Sequence, residues 1–334
     1  TETFGIRPLR REIAAHYRRW YSLDINQDQI ALTTGSSGAF LLGFLAAFDQ
    51  GDRVAMTRPG YPAYRNILAS LGCQVVELAC GPAERFQPSV AMLEQAHAAA
   101  PLAGLVVASP ANPTGTMIAP DHLAELAAWC RDHEVRLVSD EIYHGITDHT
   151  ISASCAWEHD REAIVISSFS KYWGMTGWRL GWSLVPADLV AAFDALAGNF
   201  TLCPPVPAQH AAIAAFTDES YREADAAVAA FADARAIVLA ALDDLGWTDV
   251  APADGAFYVY AGIARQLGPH PDSESWCEAL LEQHGVALTP GLDFDQRDGG
   301  ASVRVSLAAG PEAVAAALIR ILRFQQSLES SSAP

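Results

Sequence analysis

Lys171 stands in the stretch SSFSKYWGMTGWRLGW, residues 167–182, and is the only lysine of a 334-residue chain whose other 20 of 21 basic residues are arginine. A guanidinium keeps its proton, whereas an ε-amine can lose it and attack a carbonyl to form a Schiff base. A composition that avoids lysine explains why the others are missing. It does not explain why one survives just past a β-rich run, between Ser170 and a Tyr-Trp-Gly turn, where arginine would fill any surface role. The position points to covalent chemistry with a carbonyl compound.

Four other stretches supply what a Schiff-base cofactor would need. In TTGSSGAF, residues 33–40, Gly35, Ser36 and Ser37 precede an apolar helical pattern. Backbone N–H groups at such a helix N-terminus could hold a phosphate, and an ordinary N-cap fits the same letters. Arg179 follows Lys171 by eight residues with a planar fork that suits phosphate, and Ser168 lies one turn before the lysine. Asp140 closes the apolar run VRLVSD, residues 135–140, and is expected to emerge at a strand's carboxyl end. There it could pair with a protonated pyridine nitrogen and make that ring an electron sink, or serve as a turn residue. SPANPTG (109–115) and RPGYPAY (58–64) are Pro-rich turns presenting Asn112 and Tyr61. The tyrosine ring could stack on a flat cofactor, although either turn alone is mere punctuation.

These residues need a scaffold that gathers strand ends. Apolar β-branched runs at 52–57, 73–79, 104–110, 135–140, 163–168 and 180–185 alternate with helical patterns such as 121–133. That alternation predicts a mostly parallel sheet covered by helices, with ligands at the carboxyl ends of its strands. An Ala-rich helical run at 218–247 ends at Gly246 and leads into strands expected at 255–260, 285–291 and 302–308 and a last helix at 311–326. The reading is a large domain, 1–217, and a connecting helix with a smaller α+β domain, 218–334, whose tail frays from about 327.

Composition narrows the partners. Hydrophobic residues make up 51% of the chain, enough for a sizeable core, and the formal charge of -18 opposes nucleic acid or an anionic membrane surface. Apolar runs such as AFLLGFLAAF are shorter than the ~18 residues of a spanning helix. The six cysteines (Cys73, Cys80, Cys130, Cys155, Cys203, Cys277) show no metal-ligand spacing and follow no export signal, which reads as reduced thiols in a cytoplasmic protein without a metal.

Taken together and in order, GIRPLR (5–10), the Gly-Ser-Ser turn, PGYP, ANPTG, SDEIY, SFSK with arginine eight residues on, and a late VRVS resemble the class I/II aminotransferases. These are fold type I enzymes dependent on pyridoxal 5′-phosphate, and the likeness runs from the first residues to the final helix. The resemblance implies that Lys171 carries the cofactor as an internal aldimine and then moves the proton between substrate Cα and cofactor C4′. It implies that Asp140 binds the pyridine nitrogen, that Asn112 and Tyr143 bind the ring's phenolic oxygen, and that Tyr61 stacks on the ring. Gly35, Ser36, Ser37, Ser168 and Arg179 would form the phosphate cup; Asn112 and Arg304 would bind the substrate, with Arg304 gripping its α-carboxylate. The implied activity is ping-pong transfer of an amino group from an L-amino acid to a 2-oxo acid, in a homodimer. Cysteine-S-conjugate β-elimination uses the same residue set and is the alternative, and an aminotransferase-like regulatory domain is a third. Family members usually begin earlier, with a tyrosine that reaches the partner subunit's phosphate. The chain reads as N-terminally truncated, so its phosphate cup is expected to lack that donor.

Overall fold

The computed structural model describes residues 2–148 and 151–331. Thr1 and the last three residues, 332–334, lie outside the described residues, and with them the expectation about what precedes Thr1 and the very end of the tail.

Seven strands form the main sheet: β1 (Ile30–Thr33), β2 (Arg53–Arg58), β3 (Gln74–Ala79), β4 (Gly104–Ala108), β5 (Arg136–Asp140), β6 (Ile164–Ser168) and β7 (Gly181–Leu184). Their order is β1-β7-β6-β5-β4-β2-β3. Strands β3, β2, β4, β5 and β6 are mutually parallel, and β7 runs antiparallel to both β6 and β1. Successive residues of the central strands enter opposite cores: Leu105, Val107, Leu137 and Val165 on one face, Val106, Val138, Ile164 and Ile166 on the other. Both faces are covered by helices, so these strands read as continuous apolar runs rather than as alternating ones. Each fully buried aliphatic side chain here contributes about 1.5–3 kcal/mol to the core. The expected fold type I architecture is present.

Three further strands form a second, antiparallel sheet in the order β8-β10-β9: β8 (Tyr258–Gly262), β9 (Thr289–Pro290) and β10 (Ser302–Ser306). Its core includes Val259, Ala261, Trp276, Val303, Val305, Ile321 and Phe324. The helix Asp218–Ala240 joins the two parts, with Tyr221 and Ala224 in a large-sheet core and Ala234 and Val238 in the small-sheet core.

Element ends differ from expectation in four places. β1 was not anticipated: IALT is four residues long and gains strand character only by pairing with β7, residue 30 against residue 184. The 285–291 run keeps only Thr289–Pro290 as strand, because these are the residues that meet β10. The long helix is interrupted at Ala241 and resumes as Leu242–Leu245, with Gly246 at φ +64 closing it as predicted. The last helix runs from Pro311 to Ser331, past the expected start of fraying at 327.

Candidate active site

The sheet gathers the singled-out residues through its register. Thr33 at the end of β1 and Ser168 at the end of β6 both pair with Gly181 at the start of β7. Asp140, the last residue of β5, pairs with Ala108 of β4 and Ile166 of β6. The turns beyond these ends carry Gly35, Ser36 and Ser37, Asn112, Tyr143, Lys171 and Arg179 to one edge, and β2 delivers Tyr61 three residues past Arg58.

At one end of this edge the helix Gly35–Ala47 begins without a side-chain cap from Thr34, so its first-turn N–H groups are available to an anion. Gly35 has φ +67, and a Cβ on it would lie 2.5 Å from Nη2 of Arg179. Only glycine permits both the left-handed turn and the close approach of the guanidinium. Arg179 is itself left-handed at φ 51, and its Nη1 donates to the carbonyl of Thr176 at 3.0 Å. Ser37 is exposed and Ser36 half-buried. Ser168 is occupied within its own turn: the hydroxyl has Leu180 O at 3.2 Å and Ser170 Oγ at 2.9 Å as acceptors for its one proton, and it accepts from Ser170 N at 3.0 Å.

Asp140 is 3% exposed. Its Oδ1 accepts from Ile142 N at 3.1 Å, the turn role open from the sequence, and its Oδ2 accepts from the hydroxyl of Tyr64. Burial raises its pKa to about 6 against the opposing pull of Tyr64, Ile142 and Lys171. Burial lowers the pKa of Lys171, Asp140 opposes that effect, and the charges of Arg304 and Arg179 add to it. The amine lies 5.4 Å from the ring centre of Tyr143 and 5.5 Å from that of Phe257. Burial thus eases loss of the amine's proton, the direction a carbonyl nucleophile needs. Tyr61 is half-buried, with its ring edge-on to Tyr64 at 5.4 Å.

Arg304 reaches this edge from β10. Nη1 donates to Oδ1 of Asn112 at 2.8 Å and Nη2 to Oγ1 of Thr289 at 3.0 Å, while Nε is buried without a hydrogen-bond partner. The guanidinium carbon lies over the rings of Tyr258 at 4.4 Å and Phe294 at 4.8 Å. Tyr143 shares a 2.7 Å hydroxyl contact with Tyr258. The Asn112 turn is held from the small-domain side, where Gly255 N donates to Gly115 O at 2.8 Å and Met117 N to Asp254 Oδ2 at 3.1 Å.

This arrangement joins an uncapped helix N-terminus beside one guanidinium, a buried acid, a half-buried amine and a second guanidinium, and the sequence that carries it matches the family described as Aminotransferase class I and II over residues 1–322. The chain belongs to the class I and II aminotransferases. It is an amino-acid aminotransferase, and enzymes of this family depend on pyridoxal phosphate. It is 53% identical to the valine–pyruvate aminotransferase of Mycobacterium tuberculosis over 95% of this chain and 81% of that protein. It is 33% identical to the aspartate/prephenate aminotransferase of Thermus thermophilus, over 96% of this chain and 81% of that one. Among solved structures, an aminotransferase from Mycobacterium tuberculosis superposes with a TM-score of 0.94 at 52% identity, covering 98% of this chain and 84% of that one.

Four aromatic residues that touch Asp140, Lys171 or Arg304 were not singled out from the sequence: Tyr64, Phe257, Tyr258 and Phe294. Tyr64 sits in the same RPGYPAY stretch as Tyr61, and Phe257 and Tyr258 in GAFYVY. Nothing local distinguishes them from core residues, because their partners lie 76 residues away for Tyr64 and 115 for Tyr258.

Proposed function

We propose that this aminotransferase binds pyridoxal 5′-phosphate at the gathered strand ends and passes the amino group of a neutral L-amino acid to pyruvate. The buried, incompletely neutralised carboxylate of Asp140 beside the chain's one lysine carries the reading, because it calls for a cationic partner that no described side chain bonded to Asp140 supplies. A protonated pyridine nitrogen fits that role. The uncapped helix end with Arg179 fits a phosphate, and the unpartnered Nε of Arg304 fits a carboxylate.

When bound, the cofactor supplies an aldehyde that condenses with primary amines and a ring that takes up the electron pair left at the substrate's Cα. In this reading the Lys171 amine forms the covalent link and afterwards moves a proton between Cα and C4′. Asp140 keeps the proton on the ring nitrogen, and Asn112 and Tyr143 offer donors to the phenolic oxygen. Gly35, Ser36, Ser37 and Arg179 hold the phosphate, with Ser168 bracing the turn beneath. Tyr61 covers the ring face, and Arg304 orients the substrate by its α-carboxylate. We place this chemistry in a cytoplasmic homodimer divided into units at 1–217 and 218–334, and the exposed side chains of Trp178, Phe200 and Leu202 are the surface we assign to association.

The guanidinium groups whose charges act on Lys171 are Arg304 and Arg179, which this reading commits to the α-carboxylate and the phosphate. A side-chain carboxylate would need another partner. That favours the valine–pyruvate pairing of the 53% identical relative over the aspartate preference of more distant ones. The test is a panel of valine, leucine, phenylalanine and aspartate with pyruvate or 2-oxoglutarate, scored for 2-oxo acid and free ammonia. Valine with pyruvate is expected to lead and aspartate to trail. Aspartate in first place would overturn the substrate reading, and ammonia release from cysteine conjugates exceeding amine transfer would favour elimination.

Arg304→Ala is expected to raise KM for the amino donor by about 10²-fold or more, since a bidentate charge-assisted pair is lost, while the loaded cofactor's absorbance stays in place. Steady-state kinetics read beside the visible spectrum check this. An unchanged KM would assign the carboxylate to another group.

A further inference from the structure

Tyr258 lies outside the motifs that carry the reading above, yet it touches two of their residues. It is 5% exposed, its hydroxyl is 2.7 Å from that of Tyr143, and its ring lies 4.4 Å from the guanidinium carbon of Arg304. The small sheet makes this possible. Tyr258 pairs with Ser306 and Tyr260 with Arg304, so Tyr258 is the diagonal neighbour of Arg304 on the same face. Phe294 meets the same guanidinium at 4.8 Å. Tyr258 therefore links a large-domain hydroxyl to a small-domain cation within one side chain.

Two hydroxyls that share one hydrogen bond use one proton between their oxygens, and the other proton is left to seek a different acceptor. Which of the two is left over decides what the pair can do. If Tyr143 donates to Tyr258, its proton is spent. If Tyr258 donates, the proton of Tyr143 is free for the space shared with Lys171, whose amine lies 5.4 Å from the Tyr143 ring centre. Donation by Tyr258 also polarises the Tyr143 O–H and makes it the stronger donor.

We propose that Tyr258 is a positioning residue for amino transfer: it donates its hydroxyl proton to Tyr143, so that Tyr143 offers its own to the cofactor's phenolic oxygen, while its ring fixes the plane of the Arg304 guanidinium. The proposal rests on the roles given to Tyr143 and Arg304 under Proposed function. Its two halves separate by mutation, since Tyr258→Phe removes the hydroxyl and keeps the ring, whereas Tyr258→Leu removes both.

The experiment is a pH titration of the visible absorbance of pyridoxal-phosphate-loaded protein, together with KM and kcat for valine, on Tyr258→Phe, Tyr258→Leu and Tyr143→Phe. A donor on the phenolic oxygen draws negative charge away from the chromophore's proton, so weakening that donor raises the chromophore's pKa. Tyr258→Phe is expected to raise it by about half a pH unit to one pH unit and to leave KM within about threefold. Tyr258→Leu is expected to give the same rise and a further KM increase of about tenfold, from loss of the ring under the guanidinium. Tyr143→Phe is expected to give the larger rise. If Tyr143→Phe leaves the titration unmoved, the assignment of Tyr143 falls and this proposal with it. A titration moved by Tyr143→Phe but not by Tyr258→Phe overturns the hydroxyl relay alone. Equal KM values for the Phe and Leu variants overturn the ring's role.

Discussion

Lys171→Arg is expected to lose turnover by several orders of magnitude, together with the visible absorbance of the lysine-bound cofactor. A guanidinium keeps its proton across the working pH range and cannot condense with an aldehyde, so a long basic side chain is kept while the reactive amine is removed. The remaining contacts are untouched: Arg179 still lies against Gly35, and Asp140 keeps its bonds from Tyr64 and Ile142. The variant should therefore retain pyridoxal phosphate by non-covalent contacts, with free-aldehyde absorbance, and lose amine transfer by several orders of magnitude. A second arm uses the absence of other lysines. Borohydride reduction of the loaded wild-type protein should fix the cofactor on one peptide, the one containing Lys171, as read by mass spectrometry. Normal turnover by the arginine variant, or label on any other peptide, would overturn the assignment.

Asp140→Asn separates two consequences of one buried carboxylate. In the loaded enzyme an amide cannot keep the ring nitrogen protonated, so the rate of Cα deprotonation should fall by at least about 10²–10³-fold, while affinity for the cofactor, held largely through its phosphate, falls far less. In cofactor-free protein the effect reverses sign. The pKa of Asp140 is raised by burial to about 6, above its unfolded value, so the folded chain binds the proton more tightly than the unfolded chain. Stability is then fully present below the unfolded value and is lost as pH rises through about 6, by on the order of 3 kcal/mol for a shift of this size. Asparagine carries no charge to desolvate. At pH 7 cofactor-free Asp140→Asn should accordingly be more stable than cofactor-free wild type, and the difference should shrink on acidification toward pH 4. Urea unfolding at several pH values measures it. A variant with near-normal kcat would assign the ring nitrogen to another residue, and a pH-independent stability difference would contradict the raised pKa.

Much of this was legible without coordinates. The composition isolates Lys171, and all six strands predicted for the main sheet begin within one residue of expectation, because strands covered on both faces read as apolar runs. β1 escaped notice for the complementary reason: four residues carry too little pattern, and their pairing is with β7, about 150 residues later in the chain. The helix that starts at Gly35 was legible as well, since a glycine before an apolar helical pattern is a local signal. The bonds of the Ser168 hydroxyl within its own turn were not legible, because they are set by the backbone path from β6 into Ser170.

By itself the sequence determined the chemistry available: one amine that can lose its proton, one acid at the end of an apolar strand, and glycines where the backbone must turn left or come close. These are properties of a residue and its neighbours, and they survive in any reading of the chain. Tertiary structure alone decided who completes them. Tyr64 on Asp140, Tyr258 on Tyr143 and Arg304 on Asn112 join residues 76, 115 and 192 positions apart. Each partner is an ordinary aromatic or arginine in its own segment. It gains its place only because the sheet order brings the ends of β2, β4 and β5 together, and the antiparallel register of β8 and β10 then aims Tyr258 and Arg304 at them.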